Sequence, residues 1–158
     1  MFRQMRRFKQ ALSNEECIAL LQSVPRGVLS VQGDDGYPYG LPIDFTYDEA
    51  SGHIFFHGAK SGHKIDAIER CDKVSLCVFD EGYRKDGEWA LNIKSVILFG
   101  RIRKVEDDKK AADICRALCR RFTDDASYAE HEVKTFLPNV QCLELIPEHM
   151  SGKLVNES

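Results

Sequence analysis

What the sequence lacks narrows it first. No uninterrupted apolar run approaches the ~18 residues that a membrane-spanning helix requires, so a helical membrane protein is not expected. There is no excess of one charge: 22 basic residues face 25 acidic ones, a net −3, whereas nucleic-acid binders carry a positive surplus. The basic start, Met1-Phe-Arg-Gln-Met-Arg-Arg-Phe-Lys9, is followed by no apolar core of the kind a secretory signal needs, so a cytoplasmic location is expected. In that setting the six cysteines read as reduced side chains, five of them (Cys17, Cys77, Cys115, Cys119 and Cys142) within apolar patterns, and not as a disulfide scaffold. No Gly-x-Gly-x-x-Gly, His-Glu-x-x-His or Cys-x-x-Cys motif occurs, and no metal is expected. No repeat, low-complexity tract or linker divides the 158 residues, so 1–158 are read as one domain whose first twelve residues form a basic arm.

What is present centres on residues 53–68, His53-Ile-Phe-Phe-His-Gly-Ala-Lys-Ser-Gly-His-Lys-Ile-Asp-Ala-Ile68. The run 54–57 is apolar or aromatic and reads as a strand. Gly58 and Ala59 then remove side chain, 60–62 turn the chain, and Ile65 and Ile68 open a helical apolar face. Such a strand-to-helix turn suits an anion, because small residues admit the ligand, free N–H groups of the first helical turn point at it and Lys64 adds charge. The spacing Gly58-x-x-x-Gly62-His63-Lys64 is not that of a P-loop, which argues against nucleotide hydrolysis.

Around this stretch Ser13-Asn-Glu-Glu16 forms a capping box that starts a helix ended by Pro25 and Gly27. A strand over 28–32 and a turn at 33–36 lead into a strand over 37–47. In that strand the odd positions are bulky and the even ones are Pro38, Gly40, Pro42, Asp44 and Thr46. One face is therefore nearly bare, and two prolines that cannot donate place the strand at an edge or a break. The pattern fits equally a slot for a flat ligand and an edge strand packed under a loop. Strands are further expected over 73–79, over 91–105 with a bend at Gly100, and over 140–146; a third helix follows Asp107-Asp108, and 124–136 holds a short further one. Six strands with about three peripheral helices, and without strand–helix alternation, predict a mainly β protein built as a small antiparallel barrel.

The ordered blocks Met5-Arg-Arg, Gly27-Val-Leu-Ser, Asp35-Gly-Tyr-Pro-Tyr-Gly-Leu-Pro-Ile-Asp-Phe45, Phe55-Phe-His-Gly-Ala-Lys-Ser-Gly-His-Lys64, Lys94-Ser-Val-Ile-Leu-Phe-Gly100 and Ser151-Gly-Lys153 together resemble a known family. It is the 5-nitroimidazole-resistance branch of the pyridoxamine 5′-phosphate oxidase-like flavoproteins, and the resemblance spans nearly the whole chain. It implies a six-stranded FMN-binding split barrel working as a homodimer, with two flavins in clefts between subunits. Carried over, Pro42, Ile43 and Asp44 run beside the isoalloxazine. Phe56, His57, Gly58 and Ala59 face the ribityl chain and phosphate, Ser61 and Lys64 hold the phosphate, and Ser95 and Val96, with Trp89, approach from the long strand and its preceding loop. His57 is also the candidate proton donor. The implied activity is transfer of electrons from reduced flavin, with NAD(P)H or another reductant behind it, to a small oxidised organic acceptor such as a nitroaromatic; the alternative is a non-catalytic flavin or haem carrier on the same barrel. Two departures stand out. No Arg-Leu-Ala-Pro-like segment occurs, which argues against vitamin B6 synthesis, and Ile93 replaces a tyrosine common two residues before the Ser-Val pair.

Overall fold

The computed structural model describes residues 1–156. Helix α1 (Asn14–Ser23) starts at the expected capping box: the Glu16 N–H donates to Ser13 Oγ at 3.2 Å and the Ser13 N–H to the Glu16 carboxylate at 2.9 Å. Strands β1 (Arg26–Gln32), β2 (Pro38–Asp44), β3 (Thr46–Asp48) and β4 (His53–Ala59) follow, then α2 (His63–Arg70), β5 (Lys73–Phe79), β6 (Ile93–Lys104), α3 (Asp108–Cys119), α4 (Ala126–Phe136) and β7 (Val140–Val155). All seven strands form one antiparallel sheet in the order β2-β1-β5-β6-β7-β4-β3.

That order dictates curvature. β2 and β3 are the two edges of the sheet, yet only Phe45 separates them along the chain, so the sheet must curl until its edges meet. Phe45 fastens the seam: its ring is fully buried, its N–H donates to the Pro25 carbonyl at 3.1 Å, and the Arg121 guanidinium lies over the ring at 5.4 Å. Arg121 also donates to the carbonyls of Leu21, Gln22 and Val24, tying the end of α1 to this point. Inside the curl Leu29, Phe56, Leu76, Val78, Val96, Leu98, Leu143 and Leu145 make the main core. Outside it, α3 and α4 cover β4 and β7 with a second cluster of Phe55, Ile114, Cys115, Leu118, Val133 and Cys142. β4 is thus covered on both faces at Ile54, Phe55 and Phe56, which explains three buried residues in succession in place of alternation.

Three expectations are corrected. The described residues form seven strands, because the one expected over 37–47 is cut at Phe45, where the chain crosses from one sheet edge to the other. The described residues form four α-helices, since 126–136 is a full helix capped by the Asp125 carboxylate accepting from the Tyr128 N–H at 3.0 Å. The last strand does not stop at Ile146 but continues through Pro147 to Val155. Pro147 lies opposite Gly100, where the β6–β7 register shifts and no ladder bond from residue 147 is demanded. A side chain at Gly100 would collide with the Ile146 carbonyl oxygen, so the bend expected at this glycine is a close backbone approach. All six cysteines are free thiols; Cys17, Cys115 and Cys142 are buried, while Cys71, Cys77 and Cys119 are half-buried. No helix among the described residues is long and apolar enough to cross a membrane.

Candidate functional site

The alternation in β2 becomes two faces. Tyr39, Leu41 and Ile43 lean on the core, and Pro38, Gly40 and Pro42 are exposed, so the outer surface of this edge strand is flat and poor in side chain. At the end of β4 the chain turns through Gly62, whose φ of 120° belongs to glycine, and enters α2. The Gly62 carbonyl accepts from Ile65 and Asp66, but no side chain caps the helix, which leaves the His63 and Lys64 N–H groups directed outward. His63 packs its ring on Tyr39, centroids 4.1 Å apart, and approaches Asp34 at 3.6 Å; Arg70, at the far end of α2, binds the same carboxylate at 2.7 Å. Asp34 thereby clamps both ends of α2 to the β1–β2 hairpin.

Lys64 is half-buried and folds back over the end of β4, with Nζ 2.5 Å from where a Gly58 Cβ would lie. Glycine at 58 is what admits the amine. Burial holds the Lys64 pKa below its ordinary 10.5, and no carboxylate pairs with it among the described residues. His57 projects outward from the same strand end. Desolvation lowers its pKa, the Asp44 carboxylate opposes that, and the Lys64 charge adds to the lowering, so the neutral ring prevails at pH 7. Asp44 is held by both nitrogens of an Arg26 fork, at 2.6 and 3.2 Å.

The residues singled out from sequence fall into two groups. Pro42, Ile43 and Asp44 close β2, Phe56, His57, Gly58 and Ala59 close β4, and Ser61 and Lys64 follow in the turn and α2; β2 touches β4, and Asp44 and Lys64 both act electrostatically on His57, so these strand ends form one corner of the barrel. Within it Ile43 and Phe56 bury their side chains in the core, so only their main chain is open to a ligand. Ser95, Val96 and Trp89 do not join them. Ser95 lies opposite Phe79 and Lys153 near the start of β6, whereas His57 faces Cys142, whose neighbour Leu143 pairs with Lys104 at the far end of that strand. Val96 is fully buried, Trp89 is 76% exposed on the preceding loop, and Ser95 lines a separate 480 Å³ hollow with Arg3, Leu12, Cys17 and Lys153.

Two features escaped the sequence reading. A 340 Å³ pocket beneath α3 and α4 is lined by Cys115, Cys119, Glu132, Val133, Phe136, Leu137, Val140 and His57. Its signal was present in the helical spacing of Val133, Phe136 and Leu137. The second is Glu144 on β7, only 2% exposed, which accepts from His53 Nδ1 at 2.7 Å, Arg103 Nε at 2.8 Å and Lys110 Nζ at 3.0 Å. Burial by itself pushes this carboxyl up, but the Arg103, His53 and Lys110 contacts together pull it down to about 2. Lys110 also stands 5.4 Å over the Phe55 ring. This cluster binds β4, β6, β7 and α3 together, and its acceptor capacity is taken up within the chain.

Residues 13–154 match the family described as pyridoxamine 5′-phosphate oxidase. No curated protein sequence matches the chain. Among solved structures, a conserved hypothetical protein from Mycobacterium tuberculosis superposes with a TM-score of 0.81 at 16% identity, covering 95% of this chain and 90% of the other. A candidate 5-nitroimidazole antibiotic resistance protein from Bacteroides thetaiotaomicron gives 0.77 at 16% identity, covering 92% and 87%. An FAD and heme binding protein from Mycobacterium smegmatis gives 0.74 at 23% identity, covering 95% and 74%. At these identities the superpositions speak for the fold, a curled antiparallel half-barrel. The family match, in turn, takes in all seven strands but for the last residue of β7; the chain belongs to the pyridoxamine 5′-phosphate oxidase family.

Proposed function

We propose that the β2–β4–α2 corner binds FMN, and that the protein is a flavin-dependent oxidoreductase passing electrons from reduced flavin to a small oxidised organic acceptor, nitroaromatics such as nitroimidazoles included. One observation carries the reading: a half-buried lysine that has no carboxylate partner among the described residues, folded against Gly58 beside a helix start that no described side chain caps. An ammonium desolvated and left unpaired costs stability unless an anion completes it, and one helix start with one lysine suits a single phosphate monoester. The donor set and the bare strand face therefore fit the group. The family and the flavin-binding neighbour point the same way.

In this reading Lys64 Nζ, the His63 and Lys64 N–H groups and the Ser61 hydroxyl hold the phosphate. Gly58 and Ala59 would admit the ribityl chain to the backbone, and the main chain of Pro42, Ile43 and Asp44 would line the ring. The flavin supplies the redox chemistry; the protein supplies position and electrostatics. His57, neutral at pH 7, holds a ring nitrogen ready to carry a proton at the cofactor's border. Ser95 and Trp89, and Val96 through its main chain alone, reach the same flavin from a second copy of the chain, so a homodimer with shared sites is part of the proposal, as are a cytoplasmic setting and NAD(P)H as reductant.

The visible spectrum of purified protein incubated with FMN is the test. Two flavin bands, bleached anaerobically by NADH or NADPH and restored by a nitroimidazole, are expected. A colourless protein removes the flavin reading, a Soret band replaces it with haem, and a flavin that no reductant bleaches leaves a carrier. Chromatography of the released cofactor distinguishes FMN from FAD.

A further inference from the structure

We infer that the pocket beneath α3 and α4 binds a small, uncharged, largely apolar ring compound that enters past His57. Six of its eight lining residues, Cys115, Cys119, Val133, Phe136, Leu137 and Val140, offer carbon or thiol sulfur, and the polar ones are His57 and Glu132. Cys115 and Val133 are 6% exposed, whereas His57 is exposed and Phe136 is 52% exposed, so the pocket has a deep thiol-lined end and an open end. In the deep wall Cys115 Sγ lies 3.6 Å from Cys142 Sγ, and Cys142 donates to the Ala111 carbonyl at 3.6 Å. Thiols in such a wall pack well against aromatic faces.

Size and charge select the ligand. A cavity of about 150 Å³ accepts benzene, so 340 Å³ leaves room for one or two fused rings. Among the described residues no lysine or arginine lines the pocket and Glu132 does, which disfavours a carboxylate or phosphate on the guest. His57 belongs to this pocket and also stands within electrostatic reach of Asp44 and Lys64, so an occupant lies next to the phosphate corner. Its role as the electron acceptor's seat rests on the FMN reading. Binding of the ring compound does not.

Indole and indole-3-acetate are the probes, titrated into the full chain without added FMN and followed through the methyl NMR signals of Val133, Leu137 and Val140. Saturable shifts of these methyls by indole are expected, with indole-3-acetate about tenfold weaker and the gap narrowed in Glu132→Gln. Cys119→Trp fills the pocket and abolishes the shifts; should that variant fail to fold, indole must still protect Cys119 of the unaltered protein from N-ethylmaleimide. Shifts confined to other methyls, equal affinity for both probes, or unprotected Cys119 overturn the inference. Indole binding in a protein that takes up no FMN keeps the pocket and removes only the acceptor role.

Discussion

β4 carries two charged neighbourhoods three residues apart, and they are opposites. Beside Phe55 the Glu144 carboxylate is almost wholly enclosed, yet it accepts from an arginine, a histidine and a lysine drawn from three different elements. Beside Gly58 the Lys64 ammonium is half-buried and has no carboxylate partner among the described residues. A buried charge whose partners are all internal ties elements together, and its removal is felt in folding. One that is partly desolvated and left open is held for something that comes from outside, and its removal is felt in binding.

The largest effect is expected at the closed cluster. Glu144→Gln should cost about 3 kcal/mol of stability in urea unfolding, the low end of the range for a broken buried pair because Arg103 and Lys110 can reach water. The folded Glu144 pKa of about 2 lies below its ordinary 4.5, so its stabilisation is complete above pH 4.5 and is lost as pH falls towards 2. The variant should therefore show a flatter acid limb, with FMN affinity unchanged. Next comes Lys64→Ala, which should weaken FMN binding by about 2 kcal/mol, measured by quenching of flavin fluorescence, without loss of stability. A destabilisation matching that of Glu144→Gln would erase the contrast, and an unchanged affinity would move the phosphate elsewhere.

Protonated Lys64 is the binding form and burial has lowered its pKa, so FMN affinity should fall as pH rises through a value below 10.5, and Lys64→Arg should carry binding to higher pH. Gly62→Ala forces a side chain to φ 120° and should cost about 1 kcal/mol of stability. The smallest effect belongs to Gly58→Ala. Its Cβ meets only the flexible tip of Lys64, so thermal stability should hardly change while the displaced amine lowers FMN affinity a few-fold.

Local signals told most of this story and failed where distant chain segments decide. The capping box at Ser13 and Glu16, the bare face of β2 and the glycine turn at 58–62 depend on near neighbours, and each was legible. The prolines announced an edge or a break, but its place at Phe45 was not legible, because phenylalanine continues the alternation of 37–47; only closure of the sheet sends the chain across. The strand expected over 140–146 stops one residue short of Pro147, whose place in a ladder depends on Gly100, far away in sequence. Glu144 stood as a lone acid among apolar residues, and nothing local announced that His53, Arg103 and Lys110 converge on it. Ser95, Val96 and Trp89 came from resemblance alone, and a single chain keeps them at the other end of β6.

The seam at Phe45 has a bearing on solubility. A flat ligand slot on an edge strand is also an invitation for a foreign strand to pair, the route by which sheets aggregate. Here one edge carries Pro38 and Pro42, which offer no N–H to an incomer, and the other is only the three residues of β3. Because the chain passes directly from one to the other, neither presents a long free template, and the face left open for a ligand is not open to a second sheet.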